Sequence, residues 1–156
     1  MKDAPQEIRT FFVTSVTHAR TRVFRTAKMP DLLLDVLQDN RKKSRFLLHE
    51  FVVMTDHFHL ILTPASDVAL EKALQYIKGG FSFRAKRELS FRSTIWQEGF
   101  TNHRIRDADD YLRHRDYIYD NPVKAGLAKT PEEYQYSSAF PGTEVDPAPP
   151  GLKPRF

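Results

Sequence analysis

One short apolar run limits how this 156-residue chain can fold, because it carries two histidines in its middle. Residues 52–62 read VVMTDHFHLIL, so His57 and His59 lie two positions apart. Side chains along a β-strand alternate between its two faces. The two imidazoles therefore share one face, and Phe58 turns to the other, where a core must lie.

The rest of the chain alternates between strand and helix patterns. Strand, helix, strand, strand, helix and strand are predicted, in that order, at residues 10–17, 29–44, 45–55, 57–64, 68–89 and 93–105. Gly79 and Gly80 threaten to break the second helix. A further helix at 106–121 should end at Asn121, because a proline disfavours helical angles in the preceding residue. This order predicts an α+β domain with an antiparallel sheet and helices packed on one face.

Composition excludes several classes of protein. Twelve Phe and six Tyr provide for a packed core, and no apolar run approaches the ~20 residues that span a bilayer. The first twelve residues lack the long apolar core of a signal peptide. The chain has no cysteine, which excludes disulfides and cysteine-based zinc sites and makes a cytoplasmic location the default.

The positive charge is concentrated in three segments. The chain has 24 Lys and Arg against 20 Asp and Glu, and its basic residues crowd into 18–28, 39–46 and 77–92. In the last segment phenylalanines alternate with cations, a pattern suited to stacking on bases while tracking phosphates. Solvated helix faces and loops are the alternative interpretation.

The histidine pair has two interpretations at this stage. Two imidazoles on one strand face are a ready pair of ligands for a divalent metal. They are also compatible with two partly buried histidines that only make hydrogen bonds. A metal site requires a third protein group and a substrate.

A second motif, DYIYDNPVKAGL at residues 116–127, supplies such a group. Helical residues four apart share a face, so Tyr117 and Asn121 lie one above the other, whereas Tyr119 points elsewhere. An amide oxygen completes a site for a hard cation, and a phenol can be a nucleophile. The alternatives are a core tyrosine and an asparagine in a turn before proline.

Four segments together resemble the REP-associated tyrosine transposases, a branch of the single-tyrosine HUH transposases. They are MTDHFHLILTP, IWQEGFTNHRI, YLRHRDYIYDNPVKAGLA and YQYSSA, in that order, and the resemblance covers residues 9–140. Two departures stand out: Thr55 and Asp56 replace a lead that often contains proline, and Tyr-Gln-Tyr replaces a run with tryptophan before SSA.

The resemblance implies a ferredoxin-like domain with the histidine pair on a central strand. By position, His57 and His59 match the family's metal ligands, Tyr117 its nucleophile and Asn121 the polar residue that completes the metal site. The implied ion is Mg²⁺ or Mn²⁺, in keeping with phosphate chemistry and an amide ligand. His103 matches a histidine often seen in that segment, with packing and a contact that positions the DNA strand as open roles.

The implied reaction cleaves and rejoins single-stranded DNA near hairpins through a 5′-phosphotyrosine intermediate on Tyr117. A free phenol has a pKa of about 10, so its proton must be removed, and the sequence identifies no separate base. The partner implied is single-stranded DNA with hairpin-forming repeats. The basic residues that are candidates for contacts with the DNA backbone are Arg20, Arg22, Lys78, Arg84 and Arg87.

Other activities remain open at this stage. They are a metal-dependent nuclease that uses water, a non-catalytic protein that binds hairpins, and a structural domain with a basic surface. We expect a catalytic domain at 1–140 and a proline-rich, disordered tail at 141–156. A bacterial, cytoplasmic protein that joins the nucleoid when it acts is expected, without a membrane partner, either as a monomer or as a homodimer.

Overall fold

A computed structural model describes residues 9–152. Its sheet is antiparallel, with strand order β2-β3-β1-β4. The strands are β1 Phe11–Val16, β2 Phe46–Val53, β3 His57–Pro64 and β4 Thr101–Arg104. The helices are α1 Lys28–Lys42, α2 Leu70–Leu89 and α3 Ala108–Lys124. The order β1, α1, β2, β3, α2, β4 is that of the ferredoxin-like fold, with α3 added, which confirms the predicted class.

Strand β3 lies inside the sheet, and its two faces pack into two separate hydrophobic cores. Phe58, Leu60 and Leu62 are fully buried and pack with α1 and α2. The alternate position Ile61 belongs to a second cluster on the opposite face. The histidines share that second face, as the alternation of the sequence predicts.

The helices lie on both faces of the sheet. Helices α1 and α2 pack on the Phe58 face in the arrangement that the sequence predicts. Helix α3 covers the other face, where Tyr111 and Ile118 pack with Val52 and Ile61. The face that carries the imidazoles therefore has a helix of its own.

A buried carboxylate fastens α3 to the sheet. Strand β2 shifts register between Leu48 and Glu50, and such a bulge re-aims the following side chain. Glu50 accepts hydrogen bonds from the hydroxyls of Tyr119 at 2.8 Å and Ser138 at 2.7 Å. The Tyr111 hydroxyl lies 3.4 Å away. Burial raises the pKa of Glu50 above its ordinary value, although these hydroxyls oppose the shift.

The helix predicted at 68–89 is confirmed without a break at its glycines, whereas the predicted helix end at Asn121 is wrong. Helix α2 continues through Gly79 and Gly80, because its apolar side is buried against the sheet and α1, and Gly80 lies close to Val36. Helix α3 continues past Asn121 to Lys124 with Pro122 inside it. A proline so near the helix end removes one hydrogen bond and leaves the last turn intact.

The predicted fourth strand is much shorter than expected. Only Thr101–Arg104 forms strand. The segment before it is held by Trp96, which forms an isolated β-bridge with Thr17. The Trp96 ring packs against Phe58 and Phe81, and its Nε1 donates to the carbonyl of Lys78 at 3.0 Å. In this segment strand pairing is reduced to a single bridge, and the packing of the Trp96 ring adds to it.

The described part of the tail, 141–152, lies against the domain. Asp146 pairs with Arg41 at 3.0 Å and accepts a hydrogen bond from the Leu48 backbone at 2.8 Å. Leu152 is buried under α3. Residues 153–156, predicted as part of a disordered tail, lie outside the described residues, and the domain division at 140 stays a prediction. No helix within 9–152 is long and apolar enough to cross a bilayer.

The buried carboxylate makes a prediction about stability and pH. Because the folded-state pKa of Glu50 is raised, its contribution is fully present below the unfolded pKa, near 4.5, and is lost as the pH rises through the folded pKa. The unfolding free energy of the wild type, relative to Glu50→Gln, should therefore fall from pH 4 to pH 7.5. Urea denaturation of both proteins at each pH measures this difference, and a difference that grows with pH contradicts the assignment.

Candidate active site

His59 lies in the middle of β3 and is almost completely buried, with 4% of its surface exposed. Thr14 is its register partner on β1, and the Thr14 hydroxyl lies 2.7 Å from His59 Nδ1. The other ring nitrogen, Nε2, is buried and has no hydrogen-bond partner within residues 9–152. One nitrogen is thus oriented by the neighbouring strand and the other is left for a ligand.

The environment of His59 keeps its ring neutral. Burial, followed by the neighbouring His57 and Arg20, lowers the pKa of His59 to about 3. A neutral imidazole has a lone pair on one nitrogen, which is the form that binds metal ions.

His57 begins β3 and is oriented by the residue before it. Its Nδ1 lies 2.6 Å from Asp56 Oδ1, and the His57 and His59 ring centroids are 4.8 Å apart. Burial raises the pKa of Asp56, but the hydrogen bond from His57 and the nearby cations outweigh burial, so the net shift is downward. A carboxylate behind a histidine is a common device for fixing a metal ligand.

Tyr117 projects from α3 toward the same face. Its ring meets the His59 ring edge to face with centroids 5.2 Å apart, and 48% of its surface is exposed. Phe12 on β1 lies against both, stacked on His59 at 5.3 Å and edge-on to Tyr117 at 6.0 Å. The phenol is therefore placed beside the imidazole pair and remains accessible to solvent.

Asn121 lies one turn further along α3 and is half-buried. Helical spacing places it on the same side as Tyr117. Tyr119 points to the opposite side and binds Glu50, as the helical spacing predicts.

The donor set fits a divalent cation. His59 Nε2 is an unpartnered buried nitrogen, His57 is oriented by Asp56, and Asn121 offers an amide oxygen on the adjacent helix. Nitrogen and amide-oxygen ligands together suit Mn²⁺ and Mg²⁺ when the substrate contributes phosphate oxygens.

Arg20 lies in the loop that follows β1, next to the imidazoles, whereas Arg22 of the same loop lines a cleft beside the start of α1 and the end of α2. Arg20 Nη1 is 3.6 Å from Asp56 Oδ2, and its side chain is 62% exposed. Ala19 and Arg20 both have positive φ, of 53° and 56°, which is an uncommon conformation for residues other than glycine. Strain of this kind is often found where a loop must present a side chain to a ligand.

The three basic residues of α2 lie on the other helical layer. Lys78 donates to two backbone carbonyls before β4, at 3.1 and 2.6 Å, and burial lowers its pKa. Arg84 and Arg87 line a cleft between α1 and α2, where Arg87 lies 6.0 Å from the Phe83 ring. The carboxylates that pair with Arg84 are those of Asp35, Asp39 and Glu88. These cations therefore lie apart from Tyr117.

His103 lies on β4 and contacts α3. Its Nε2 is 2.8 Å from Asp110 Oδ2, and its ring stacks on His114 at 4.8 Å. Burial raises the pKa of Asp110, but His103, the Arg106 backbone N–H and His114 together lower it overall. The sequence leaves two roles open for His103, packing and a contact with DNA. The structure adds a third, a contact with the buried carboxylate of Asp110.

Comparison with known proteins places this geometry in a family. The family described as "Transposase IS200 like" matches residues 9–121, which include the imidazole pair, Tyr117 and Asn121. The chain belongs to that family of IS200-like transposases. A REP-associated tyrosine transposase of Escherichia coli K12 is 30% identical over 129 residues, covering 82% of this chain and 74% of that protein.

Two further matches extend the comparison of this IS200-like transposase. A Haemophilus influenzae protein, provisionally named a REP-associated tyrosine transposase, is 35% identical over 96 residues. That alignment covers 55% of this chain and 54% of the relative, so the chain spans about half of that relative's length. A solved REP-associated tyrosine transposase bound to a REP hairpin is 25% identical with a TM-score of 0.70, covering 100% of this chain and 99% of that one. The resemblance noted in the sequence is confirmed.

Sequence reasoning missed the partners that orient the imidazoles in this transposase. Asp56 directly precedes His57, so adjacency could have indicated its role. Thr14 and Phe12 are far from β3 in sequence, and only the β1–β3 register brings them to His59. Asp110 carried no signal that linked it to His103.

The buried imidazole gives a prediction for the protein in the absence of added metal. Because the pKa of His59 is lowered to about 3, its ring should stay neutral at pH 5. An unperturbed imidazole, by contrast, has a pKa of about 6.5. Long-range ¹H–¹⁵N NMR of the histidine rings between pH 5 and pH 8 measures this, with His59→Gln to assign the signal. A titration midpoint of about pH 6.5 for His59 contradicts the effect assigned to its burial.

Proposed function

We propose that this chain is a metal-dependent single-stranded DNA transposase that cleaves and rejoins DNA near hairpins through a 5′-phosphotyrosine intermediate on Tyr117. The observation that carries the proposal is the 5.2 Å contact between the Tyr117 and His59 rings, beside a buried imidazole nitrogen without a partner. A solvent-exposed phenol beside two imidazoles is suited to attack on a phosphodiester.

His57, His59 and Asn121 would hold the ion, Mg²⁺ or Mn²⁺. When bound there, such an ion polarises a phosphoryl oxygen and orients the phosphate. The chain's own contribution is orientation: Asp56 fixes His57, and Thr14 fixes His59. Burial of His59 keeps its nitrogen free of a competing proton near neutral pH.

Tyr117 would act as the nucleophile. Its oxygen forms a bond to phosphorus while the bond from phosphorus to the 3′ oxygen breaks, which leaves a 3′-hydroxyl and a 5′-phosphotyrosine. A phenoxide leaves more readily than an alkoxide, so a 3′-hydroxyl can reverse the step on a new end. Phe12 and His59 hold the ring, while the exposed side of Tyr117 admits the strand.

The backbone contacts of the cleaved strand are assigned to Arg20 and Arg22. Both lie in the loop after β1: the Arg20 side chain is largely exposed beside Asp56, and Arg22 lines the cleft beside the start of α1 and the end of α2. Lys78 is held by backbone carbonyls and Arg84 by carboxylates, so each would have to give up those partners to bind phosphate. We assign Arg87 to a contact with the duplex that flanks the site.

The substrate proposed is a single strand that folds into a hairpin. The basis is that the solved relative, which matches this chain over its whole length, is bound to a REP hairpin. A specific hairpin complex should survive moderate salt, whereas purely electrostatic binding weakens steeply as salt rises.

Substitution of the nucleophile tests the proposal. Tyr117→Phe removes only the hydroxyl, so cleavage of hairpin oligonucleotides with Mn²⁺ should fall by at least about 10³-fold while hairpin affinity is retained. Denaturing gels of cleavage products and binding titrations with the same oligonucleotides measure the two properties. Tyr76→Phe, which removes a hydroxyl from α2 on the other helical layer, is the matched control and should cleave.

The rival functions give different results in this experiment. A nuclease that uses water retains cleavage in Tyr117→Phe. A hairpin-binding protein without catalysis binds the oligonucleotides tightly and cleaves none of them, with or without the substitution. Either outcome overturns the proposal.

The orientation of His57 gives a prediction for metal affinity. Asp56→Asn weakens the hydrogen bond that fixes the ring, and loss of such a partner typically costs about 10–100-fold in metal affinity. Calorimetric titration of the protein with Mn²⁺, without DNA, measures this change. Asp67→Asn, in the exposed loop after β3, is the control, and an unchanged affinity in Asp56→Asn contradicts the role assigned to Asp56.

A further inference from the structure

Two histidines and an aspartate meet where β4 packs beside the first turns of α3. His103 Nε2 is 2.8 Å from Asp110 Oδ2, and His114 Nδ1 is 3.2 Å from Asp110 Oδ1. One ligand atom from each residue lies within 4.8 Å of the other two. Among the His, Asp and Glu side chains of residues 9–152, no other group of three is gathered this closely.

The cluster is built with a buried base and an accessible mouth. The Asp110 side chain is 5% exposed, whereas those of His114 and His103 are 24% and 43% exposed. The carboxylate is thus held in place from below while the imidazoles can be reached from solvent.

We propose that His103, Asp110 and His114 form a second metal site, which takes a transition-metal ion of the Zn²⁺ class and is separate from the His57–His59 pair. Two imidazoles and a carboxylate are a donor set that Zn²⁺ uses in proteins, with a fourth position left to water. The predominance of nitrogen disfavours Mg²⁺ and Ca²⁺, which prefer oxygen.

The present contacts describe what an ion would change. Zn²⁺ bonds of about 2.1 Å allow ligand atoms to lie at most about 4.2 Å apart, so the exposed His103 ring must turn slightly inward. The ion would displace the imidazole protons now shared with Asp110 and with its backbone carbonyl, which lies 2.8 Å from His114 Nδ1. Arg113, 3.3 Å from Asp110, is 67% exposed and can turn to solvent. The Arg106 N–H, at 3.1 Å, remains to orient the carboxylate.

An ion here would couple the edge of the sheet to the helix that carries Tyr117. His103 belongs to β4, while Asp110 and His114 belong to α3, with Tyr117 three residues after His114. Phe12 contacts the His114 ring at 4.7 Å and the His59 ring at 5.3 Å. The site would therefore fix the start of α3 relative to the imidazole pair, and its existence does not depend on the proposed catalytic reaction.

Metal titration with the catalytic ligands removed tests the proposal. The double variant His57→Ala/His59→Ala should still bind one equivalent of Zn²⁺ in calorimetry. Adding His103→Ala should weaken that binding by at least about tenfold, since even an outer-shell partner is typically worth about 10–100-fold. His18→Ala, at an exposed histidine on the loop after β1, should leave it unchanged.

A second measurement uses the unmodified protein, so that a folding defect in the variants does not decide the result. Long-range ¹H–¹⁵N NMR with two equivalents of Zn²⁺, enough to occupy the His57–His59 pair as well, should shift the ring nitrogens of His103 and His114. The proposal is overturned if those nitrogens do not shift, or if the double variant is folded and binds no Zn²⁺. Binding that His103→Ala leaves intact overturns it equally.

Discussion

The central strand β3 packs Phe58, Leu60 and Leu62 against α1 and α2, and the same packing turns His57 and His59 to the opposite face. The two outcomes are inseparable, because a shift of one residue in register would exchange the faces and bury both imidazoles in the apolar core. The core on one side therefore fixes the position of the imidazole pair on the other. Buried aliphatic packing supplies the rigidity that a metal site needs.

Helix α3 completes the site because its two tyrosines point in different directions. Tyr119 is turned into the protein, where its hydroxyl binds the buried Glu50, and Ile118 packs under the sheet. Tyr117 is thereby held outward beside His59. Burial raises the pKa of Glu50, so this anchoring group resists ionisation. The hydroxyls that bind it fasten the helix to the sheet. The same helix carries His114 toward β4, where the proposed second metal site lies.

The sequence predicts the fold class and which residues of the candidate site share a face, because both depend on strong local patterns. Alternation in β3 places His57 and His59 together, and helical spacing separates Tyr117 from Tyr119. The boundaries are less predictable: α2 is continuous at its glycines and α3 at Pro122 because packing outweighs local preference. Partners such as Thr14 come from strand register, and the pairing of Arg84 with Asp35 and Asp39 comes from the approach of α1 to α2. Neither has a local signal.

The central claim is that a covalent bond forms between DNA and Tyr117. Mass spectrometry of proteolysed protein, after incubation with a pool of single-stranded hairpin oligonucleotides and Mn²⁺, tests it most directly. The account predicts a nucleotide adduct on the peptide that contains Tyr117, and no adduct when His57 is replaced by alanine. Cleaved DNA without any peptide adduct, or an adduct on a different tyrosine, would contradict it.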